Sequence, residues 1–353
     1  MILDILPASC GDALLLKWQG SSGRNRNILI DGGVTNTYNQ SLKYEIQLLL
    51  ERKEVIDLLI LSHIDSDHIG GVLRLVNEME LRRLPDKLLS ACWFNSARVI
   101  SRYFYRIDEH QHDVMLPHTD KQISTKQGNT LERFLERLQI STNKTPIAAI
   151  QEYDLDGLTI NVISPDEPSL QRLSKDWQTE IMPSKNVPLA GRQVDYHLSI
   201  QELIERPIHE DRGVPNGSSI AFLATHREKQ VLLLADAHPS VIIASLQKQG
   251  YSDVHKLKVD CVKVSHHGSK HNTNEALLAL LDCNRFIVST NGSNTHGLPH
   301  KEALARIIYH NYQRGQPTEL IFNYRNAITE GIFSPSEMQA FGFQCSFQNE
   351  IVF

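Results

Sequence analysis

The sequence predicts a mixed α/β fold in which helices cover β-sheets. Two observations indicate this fold class. Short apolar segments with strand character alternate with amphipathic helical segments over the first eighty residues, and the same alternation returns after residue 219. The composition of the 353 residues, 41% hydrophobic and 22% charged, is that of an ordinary globular protein. The length corresponds to one large domain or to a domain with a sizeable insertion.

The N-terminal elements follow from local hydrophobic patterns. Strands are predicted at 2–6, 13–18, 27–31 and 57–62, the third of them ending in a Gly32-Gly33 turn. Residues 41–51 have helical periodicity, with Leu42, Ile46 and Leu49 on one face, and a second helix includes residues 69–76.

The C-terminal part repeats this theme. A hairpin is predicted from two strands that turn at Arg227-Glu228, and further buried strands and helices follow it. The predicted strands are 219–225, 230–235, 260–265, 285–289, 318–324 and 341–353, and the predicted helices are 274–281 and 301–312.

The pattern weakens between about residues 97 and 215. This stretch contains a strand-like segment at 158–163, one amphipathic helix around Leu131 and Leu138, and a polar, proline-containing part at 164–215. We interpret 97–215 as an insertion that decorates a single domain spanning residues 1–353, because a long structureless segment inside a core is improbable.

Composition also excludes several classes of protein. The net charge of −5 argues against coating nucleic acid by bulk charge, although a local basic groove is compatible with it. No apolar run approaches the length of a membrane span, and Asp4 stands where a signal peptide needs basic residues. Five scattered cysteines without a CxxC pair indicate a reducing compartment. We therefore expect a cytoplasmic protein without a membrane partner.

The strongest chemical signal is the segment 62–71, in which a buried strand gives way to a helix. Four side chains that can bind metal lie within six residues: His63, Asp65, Asp67 and His68. Imidazole and carboxylate ligands together suit zinc, manganese or iron, and this many can hold two cations. In an extended segment the first three would share one side and His68 would be directed elsewhere. The competing interpretation is a solvated loop in which Asp67 caps the helix.

Histidines and an aspartate form further clusters. Six of the sixteen histidines fall in three pairs: His63 and His68, His266 and His267, His296 and His300. Asp236 ends an apolar strand and is followed by His238, a candidate cationic partner. The alternatives are a turn aspartate for Asp236, a pH-sensitive surface pair for 266–267 and a helix cap for His300. Gly268 is expected to leave room for substrate.

The loop H-x-D-x-D-H-x-G-G resembles the metallo-β-lactamase superfamily, whose metal loop reads H-x-H-x-D-H-x-G-G. Its Asp65 variant resembles the hydrolase domain of the DNA-uptake protein ComEC and its free-standing relatives. Four other segments resemble motifs of that group in the same order, namely Gly11-Asp12-Ala13, 30–33, 233–237 and the H-H-G-S-K at 266–270. The resemblance covers roughly residues 1–310 except the insertion.

The resemblance implies a four-layer αββα sandwich and a centre of two divalent ions, zinc or manganese. His63 and Asp65 would bind one ion, Asp67 and His68 the other, and Asp236 would bridge them. His266 would complete the ligand set, and the additional candidate ligands are His267, His296, His300 and Asp31.

Two positions depart from the superfamily pattern. Asn216 stands where many members have a histidine, and Leu298 occupies the histidine position of the motif N-x-Y-G-H-P. These differences concern how fully the metal site is occupied.

We expect Asp67, Asp236, His267 and Lys270 to act in catalysis. Asp12 and Asp31 are candidates to orient the imidazoles. Ser269 and Lys270 could bind an anionic group of the substrate, although a lysine at such a position is more often simply solvated.

Three functions fit this pattern. The first is a metal-dependent phosphodiesterase or nuclease acting on DNA, which the ComEC resemblance implies. Its only physical support is a run of basic residues interleaved with aromatic ones: Arg74, Arg82, Arg83, Lys87, Arg98, Arg102, Arg106, Trp93, Phe94, Tyr103, Phe104 and Tyr105. A charged outer helix face with aromatic core residues explains that run equally well.

The second function is a small-molecule phosphoester or lactone hydrolase, since fold does not determine substrate. The third is a weakly active subunit of a bacterial defence or uptake system, which binds a protein partner through its insertion.

Overall fold

The structure is a computed structural model that describes residues 1–105, 121–178 and 194–353. Strands β1–β9 are Ile2–Ile5, Leu14–Gln19, Asn25–Ile30, Leu58–Ile60, Ala91–Trp93, Ser141–Thr142, Glu152–Leu155, Leu158–Ser164 and Ala221–His226. Strands β10–β17 are Lys229–Leu233, Leu257–Lys258, Cys261–Lys263, Leu281–Asp282, Arg285–Val288, Thr318–Phe322, Phe343–Phe347 and Glu350–Val352.

The described helices flank these strands in the chain. Helices α1–α6 are Lys43–Glu51, Ser66–Glu80, Ala97–Tyr105, Lys121–Arg137, Glu167–Gln178 and Ile200–Ile204. Helices α7–α12 are Val214–Gly217, Pro239–Lys248, Glu275–Ala279, Lys301–Gln313, Ala327–Glu330 and Pro335–Phe341. A short π-helical turn, Tyr38–Leu42, leads into α1. None of the helices in these described ranges combines the length and apolarity needed to cross a membrane.

Two large sheets form the centre of the fold. The first has the order β17-β1-β2-β3-β4-β5-β6, and the second has the order β16-β15-β14-β12-β10-β9-β8-β7. In each sheet an antiparallel half continues into a parallel half: β3, β4, β5 and β6 are parallel to one another, and so are β10, β12, β14, β15 and β16. Parallel strands place their carboxyl ends at one edge of a sheet, so residues that follow these strands lie close together.

The three largest apolar cores of the described residues show that the sheets and helices form four layers. One core joins the two sheets and includes Leu16, Ile28, Ile160, Phe222 and Val231. A second lies between the first sheet and helices α1, α2 and α4, and a third lies between the second sheet and helices α8, α9 and α10. The expected αββα sandwich is therefore confirmed.

Strand β2 shows how the sequence produces this layering. Leu14 and Leu16 point into the core between the sheets, whereas Leu15 points into the helix-covered core. Successive side chains of a strand alternate between its two faces, so a strand buried on both sides is apolar throughout.

The predicted strands and helices of the N- and C-terminal parts are confirmed with small shifts of their ends, except for 341–353. That segment forms two strands, β16 and β17, which belong to different sheets, and Phe341 ends α12. The stretch 97–215 contains more regular structure than expected, because β6, β7 and β8 lie within it and join the two large sheets. Leu158, Ile160 and Val162 of β8 are fully buried between the sheets. Part of the stretch 97–215 thus belongs to the sandwich itself.

Candidate metal centre

The cluster lies where parallel strands end. Asp31 follows β3 and His63 follows β4, while Asp236 follows β10 and the pair 266–267 follows β12. Because β3 and β4 are parallel, as are β10 and β12, each sheet presents its polar residues at one edge. The two edges meet, and the side chains converge there.

Helix α2 begins within the metal-binding loop. Asp65 is its N-cap residue in an extended conformation, so Asp67 and His68 already lie in the first helical turn. The expectation that His68 points away from His63 is therefore wrong: their ring centroids are 4.1 Å apart. The reason is a change of period, since a helix advances 100° per residue and a strand 180°.

Asp236 lies at the centre of the cluster. Its Oδ2 atom is 3.5 Å from Nε2 of His68, 3.6 Å from Nε2 of His266 and 3.9 Å from Nε2 of His63. Its Oδ1 atom is 3.8 Å from Nε2 of His267. The two oxygens of one buried carboxylate thus face different imidazoles, which is the geometry of a bridging ligand.

Asp65 and Asp67 lie at the more exposed side of the cluster. Oδ2 of Asp65 is 3.7 Å from Nε2 of His63, and Oδ2 of Asp67 is 3.4 Å from Nε2 of His267. These two side chains are about one third exposed, at 34% and 32%, whereas His63 and His267 are buried. The cluster therefore has a closed base and an open mouth.

The Nδ1 atoms of three imidazoles are held by acceptors outside the cluster. Nδ1 of His68 donates to Oδ2 of Asp31 at 2.8 Å, and Nδ1 of His267 donates to the carbonyl of Ser289 at 3.0 Å. Nδ1 of His266 donates to Oδ2 of Asp211 at 3.2 Å. In each case the opposite nitrogen, Nε2, is directed at Asp236.

The Nδ1 atom of His63 is likewise held by a group outside the cluster, in this case a hydroxyl group. The Oγ atom of Ser62 donates to Oδ2 of Asp31 at 2.6 Å, which leaves it to accept from Nδ1 of His63 at 3.0 Å. Outer partners of this kind fix the tautomer and orientation of a metal-binding histidine.

A buried ion pair supports His267 from behind. Lys263 is fully buried and its Nζ atom pairs with Oδ2 of Asp12, while Oδ1 of Asp12 lies 3.4 Å from Nδ1 of His267. Lys263 was not anticipated from sequence. The signal was present, since a lysine that continues a buried apolar strand requires a carboxylate partner.

The chemistry of the donor set fits divalent metal. Within the described residues, Nε2 of His63, His68 and His267 and Oδ1 of Asp236 are buried atoms without a hydrogen-bond partner. Leaving such atoms unpaired is costly unless another group binds them. Sets of three ligand atoms within 4.8 Å of one another occur in the cluster, including His63, His68 and Asp236, and Asp67, His68 and His267.

The pKa shifts of the cluster residues result from burial and from the charges of their neighbours. Burial lowers the pKa of His63 to about 3, so this imidazole is neutral. Burial opposes charge on His267 as well, but the Asp236 and Asp12 carboxylates raise its pKa to about 9. Burial likewise works against an ionised Asp236, yet His266, His68 and His267 hold the pKa of its carboxyl well below the ordinary value. The cluster is an environment that favours bound positive charge.

Four of the eleven described non-glycine residues with positive φ angles belong to or adjoin the cluster. Asp31, Ala235, His266 and His267 have positive φ angles of 57°, 44°, 49° and 53°. Residues with side chains rarely adopt this conformation, and they do so mainly at functional sites where the surrounding structure holds them.

The metallo-beta-lactamase superfamily model matches residues 12–83. This segment supplies Asp12, Asp31 and the four residues of the metal-binding loop. The mixed α/β layers of the described residues are consistent with the metallo-beta-lactamase fold. The narrower resemblance to ComEC has no support in these comparisons.

Comparisons with other proteins agree only at a distance. No curated protein matches the chain. Zinc-bound PqqB from Methylobacterium extorquens is 10% identical over all of both chains, with a TM-score of 0.46. A metallo-beta-lactamase from Cronobacter sakazakii is 13% identical over 71% of this chain and 70% of that chain, with a TM-score of 0.30. A variant of the CmlA β-hydroxylase is 12% identical over 90% of this chain and 52% of that chain, with a TM-score of 0.40. We draw no functional conclusion from similarities of this size.

Three of the expected site residues have other partners in the structure. His296 is exposed, and its backbone amide donates to Asn294. His300 is the N-cap residue of α10, and its Nδ1 atom accepts from the backbone amide of Lys270 at 3.2 Å. Lys270 is partly buried, and its carbonyl accepts from Arg306. None of these described contacts joins the three residues to Asp236.

Two expectations for the neighbours of the cluster are wrong. A Cβ atom at Gly268 would lie 2.8 Å from Cβ of Pro299, so this glycine permits close packing rather than leaving room for substrate. His238 faces Asp211, with Nε2 3.9 Å from Oδ1, and burial lowers its pKa. The partners that hold the Asp236 carboxylate are the histidines of the cluster instead.

Asp211 is, besides Lys263, a residue of the site that sequence reasoning missed. It accepts from Nδ2 of Asn216 at 2.7 Å and from Nδ1 of His266, so Asn216 reaches the centre through Asp211. The available signal was an acidic residue shortly before the asparagine that replaces an expected histidine.

Several described members of the basic and aromatic run are engaged within the protein. Arg74 and Arg83 pair with Glu78, and Arg98 pairs with Glu132 and Glu136. Phe94 is buried, whereas Tyr103 and Tyr105 are exposed. Arg106 lies outside the described residues.

Proposed function

We propose that the protein is a metal-dependent phosphodiesterase that uses two divalent ions, zinc or manganese, to hydrolyse nucleic acid, with DNA as the substrate. The observation that carries this proposal is the set of buried, unpartnered Nε2 and Oδ1 atoms around one central carboxylate. Such a donor set, open on one side, supports hydrolysis better than a structural role, because structural metal sites are closed.

The candidate ligands form two groups, one on each side of the Asp236 carboxylate. His63 and Asp65, 3.7 Å apart, would hold one ion together with Oδ2 of Asp236. Asp67 and His267, 3.4 Å apart, would hold the other together with His68 and Oδ1 of Asp236. When bound, a pair of divalent ions supplies an activated water and offsets charge on phosphoryl oxygens.

The residues of the chain do the positioning. Asp31, Asp211 and the Ser289 carbonyl keep the Nδ1 protons of their histidines on the outside, so that each Nε2 presents a lone pair inward. Asp67 and Asp65 lie at the open mouth, where a phosphate group can approach, and Lys270 follows the histidine pair in the chain.

A nicking assay tests the proposal. The full chain, loaded with Mn²⁺ or Zn²⁺, is expected to nick supercoiled plasmid DNA and to bind more than one metal ion per chain. Asp67→Ala and His63→Ala are expected to reduce nicking at least about 100-fold, with folding checked by circular dichroism. His255→Ala, which removes an exposed histidine remote from the cluster, serves as the matched control.

Other outcomes would contradict the proposal in distinct ways. Turnover of bis(p-nitrophenyl) phosphate without DNA cleavage would indicate a small-molecule hydrolase. Absence of both activities, with less than one bound metal per chain, would indicate a subunit whose metal site is vestigial.

A further inference from the structure

A cavity of about 990 Å³ lies beside the metal cluster. Its walls are built from α5, the segment 208–212, the start of α8 and the residue after Lys270, and it is lined by Arg172, His209, Arg212, His238, Ser240 and His271. Asp211 also lines it and accepts a hydrogen bond from His266, so a single side chain separates the cavity from the cluster.

Two arginines give the cavity positive charge. The side chains of Arg172 and Arg212 lie on its exposed rim. Arg172 donates only to the hydroxyl of Ser169, at 2.9 Å, and neither guanidinium forms an ion pair with the residues that the structure describes. Guanidinium groups without a carboxylate partner are available for an anion, which they bind in a bidentate manner.

The carboxylates of the cavity wall are already engaged by the protein. Asp211 accepts from the amide of Gly213 at 2.8 Å and from Nδ2 of Asn272 at 3.2 Å, besides His266. Oε1 of Glu210 accepts from Nδ2 of Asn274 at 2.9 Å. Their negative charge is therefore directed at protein donors rather than left facing the arginines.

The N-terminus of α8 adds hydrogen-bond donors. The helix is ten residues long, begins at Pro239, and has His238 as an N-cap residue without a side-chain cap bond. Pro239 has no N–H, and the amides of Val241 and Ile242 donate to the carbonyl of His238, so the amide of Ser240 is the donor that the first turn offers. This amide and the helix dipole together favour an anion. Ser240 adds a hydroxyl group at the same place.

His238 supplies an independent sign of a missing ligand. The residue is only 9% exposed, and its Nε2 atom is buried without a hydrogen-bond partner within the described part of the chain. This nitrogen is 3.9 Å from Oδ1 of Asp211, which is beyond hydrogen-bonding distance. A buried imidazole nitrogen that lines a cavity without making a hydrogen bond is expected to bind a ligand oxygen there.

We propose that this cavity binds a second phosphate group of the substrate, next to the phosphodiester that is hydrolysed at the metal cluster. Arg172, Arg212, His238 and the start of α8 are the binding groups. This inference rests on the proposed function and sharpens it, since it specifies a substrate with two neighbouring phosphates, as in a nucleic-acid strand or a nucleoside bisphosphate.

The test compares two substrates of the metal-loaded full chain. One is bis(p-nitrophenyl) phosphate, which has a single phosphate, and the other is the 5′-p-nitrophenyl ester of thymidine 3′,5′-bisphosphate, which has two. In Arg172→Gln/Arg212→Gln, kcat/KM for the second substrate is expected to fall at least about 10-fold more than for the first, through KM. Arg24→Gln, an exposed arginine on the β2–β3 turn, is the matched control.

Equal losses on both substrates, or no loss, would overturn the inference. Inhibition assays distinguish the source of the phosphate. Stronger inhibition by short DNA strands than by inorganic phosphate indicates a nucleic-acid strand, and equal inhibition by the two indicates a free anion. Both keep the cavity as a phosphate site.

A separate binding measurement distinguishes failure of the inference from failure of the proposed function. Thymidine 3′,5′-bisphosphate is titrated calorimetrically into the wild-type chain and the double variant. If the wild type hydrolyses neither ester but binds the bisphosphate in an arginine-dependent manner, the proposed function fails and the anion site stands. If the wild type hydrolyses the esters but binds the bisphosphate equally well without the two arginines, the proposed function stands and the anion site fails.

Discussion

Each histidine of the centre is oriented by a different outer partner. His68 has a carboxylate from the first sheet, His267 a backbone carbonyl, His266 the carboxylate of Asp211 and His63 two hydroxyl groups. These five partners produce one result, in which every Nε2 faces Asp236. Because a metal ion needs several ligands aligned at once, the loss of one outer partner weakens the whole site.

Asp211→Asn tests this dependence. The substitution keeps the size of the side chain but removes the charge that holds the Nδ1 proton of His266. We expect metal affinity to fall about 10- to 100-fold, as for other outer partners of metal-binding histidines. The measurement is a competition titration against a chromophoric chelator.

The control is Asp253→Asn, which removes an exposed carboxylate elsewhere on the surface. Equal affinity of Asp211→Asn and the wild type would show that Asp211 does not support the metal site.

Helix α2 must approach the first sheet very closely in order to deliver His68. The amide of Gly32 donates to the carbonyl of His68 at 2.8 Å, and the amide of Gly71 donates to the carbonyl of Gly33 at 3.0 Å. A Cβ atom at Gly71 would lie 2.0 Å from the carbonyl oxygen of Gly32. The glycines of the motif therefore let the helix backbone contact the turn directly.

Gly71→Ala is expected to destabilise the protein by about 2 kcal/mol or more, since the added methyl group forces the helix away from the turn. Gly128→Ala in α4 is the matched control, because its Cβ atom would meet only side chains at 3.4 Å. The control is expected to be neutral or to stabilise by up to about 1 kcal/mol, through helix propensity. Urea unfolding of both variants measures the difference, and similar stabilities would refute the packing argument.

The whole molecule brings two sheets together at one edge, and a buried ion pair spans them. Asp12 precedes β2 of the first sheet, and Lys263 ends β12 of the second. Both side chains are almost completely buried. Removing one partner of such a pair leaves an uncompensated charge in the interior, which costs far more than the net worth of the pair.

Lys263→Met is accordingly expected to lower the free energy of unfolding by about 3–5 kcal/mol. The double variant Asp12→Asn/Lys263→Met is expected to recover a large part of that loss, because no charge then remains unpaired. Chemical denaturation of both variants provides the measurement. If the double variant were less stable than the single one, the ion pair would not be the source of the effect.

The fold could be predicted from local patterns to a large extent. Apolar runs placed the strands, and helical periodicity placed α1, α2 and α10, because these elements are buried on definite faces. The strands β6 and β7 escaped notice because they are short and partly exposed, and their residues therefore carry little hydrophobic pattern.

Side-chain direction at the site was less predictable. The direction of the His68 side chain depends on where α2 begins, which is Ser66. The carboxylate that faces His238 is Asp211, which lies in a distant segment of the chain. Both side-chain positions are determined by tertiary contacts, which the hydrophobic periodicity of the sequence does not reveal.

By itself the sequence determined the alternation of strands and helices, the metal-capable loop at 63–68 and the position of Asp236 at a strand end. These properties are local, since burial of a strand or helix face imprints its own period on the residues. Only the tertiary structure decided which nitrogen of each histidine faces inward, that Asp211 and Lys263 support the centre, and that two arginines line a cavity beside it. Those relations join residues far apart in the chain, and packing of one sheet against the other brings them within hydrogen-bonding distance.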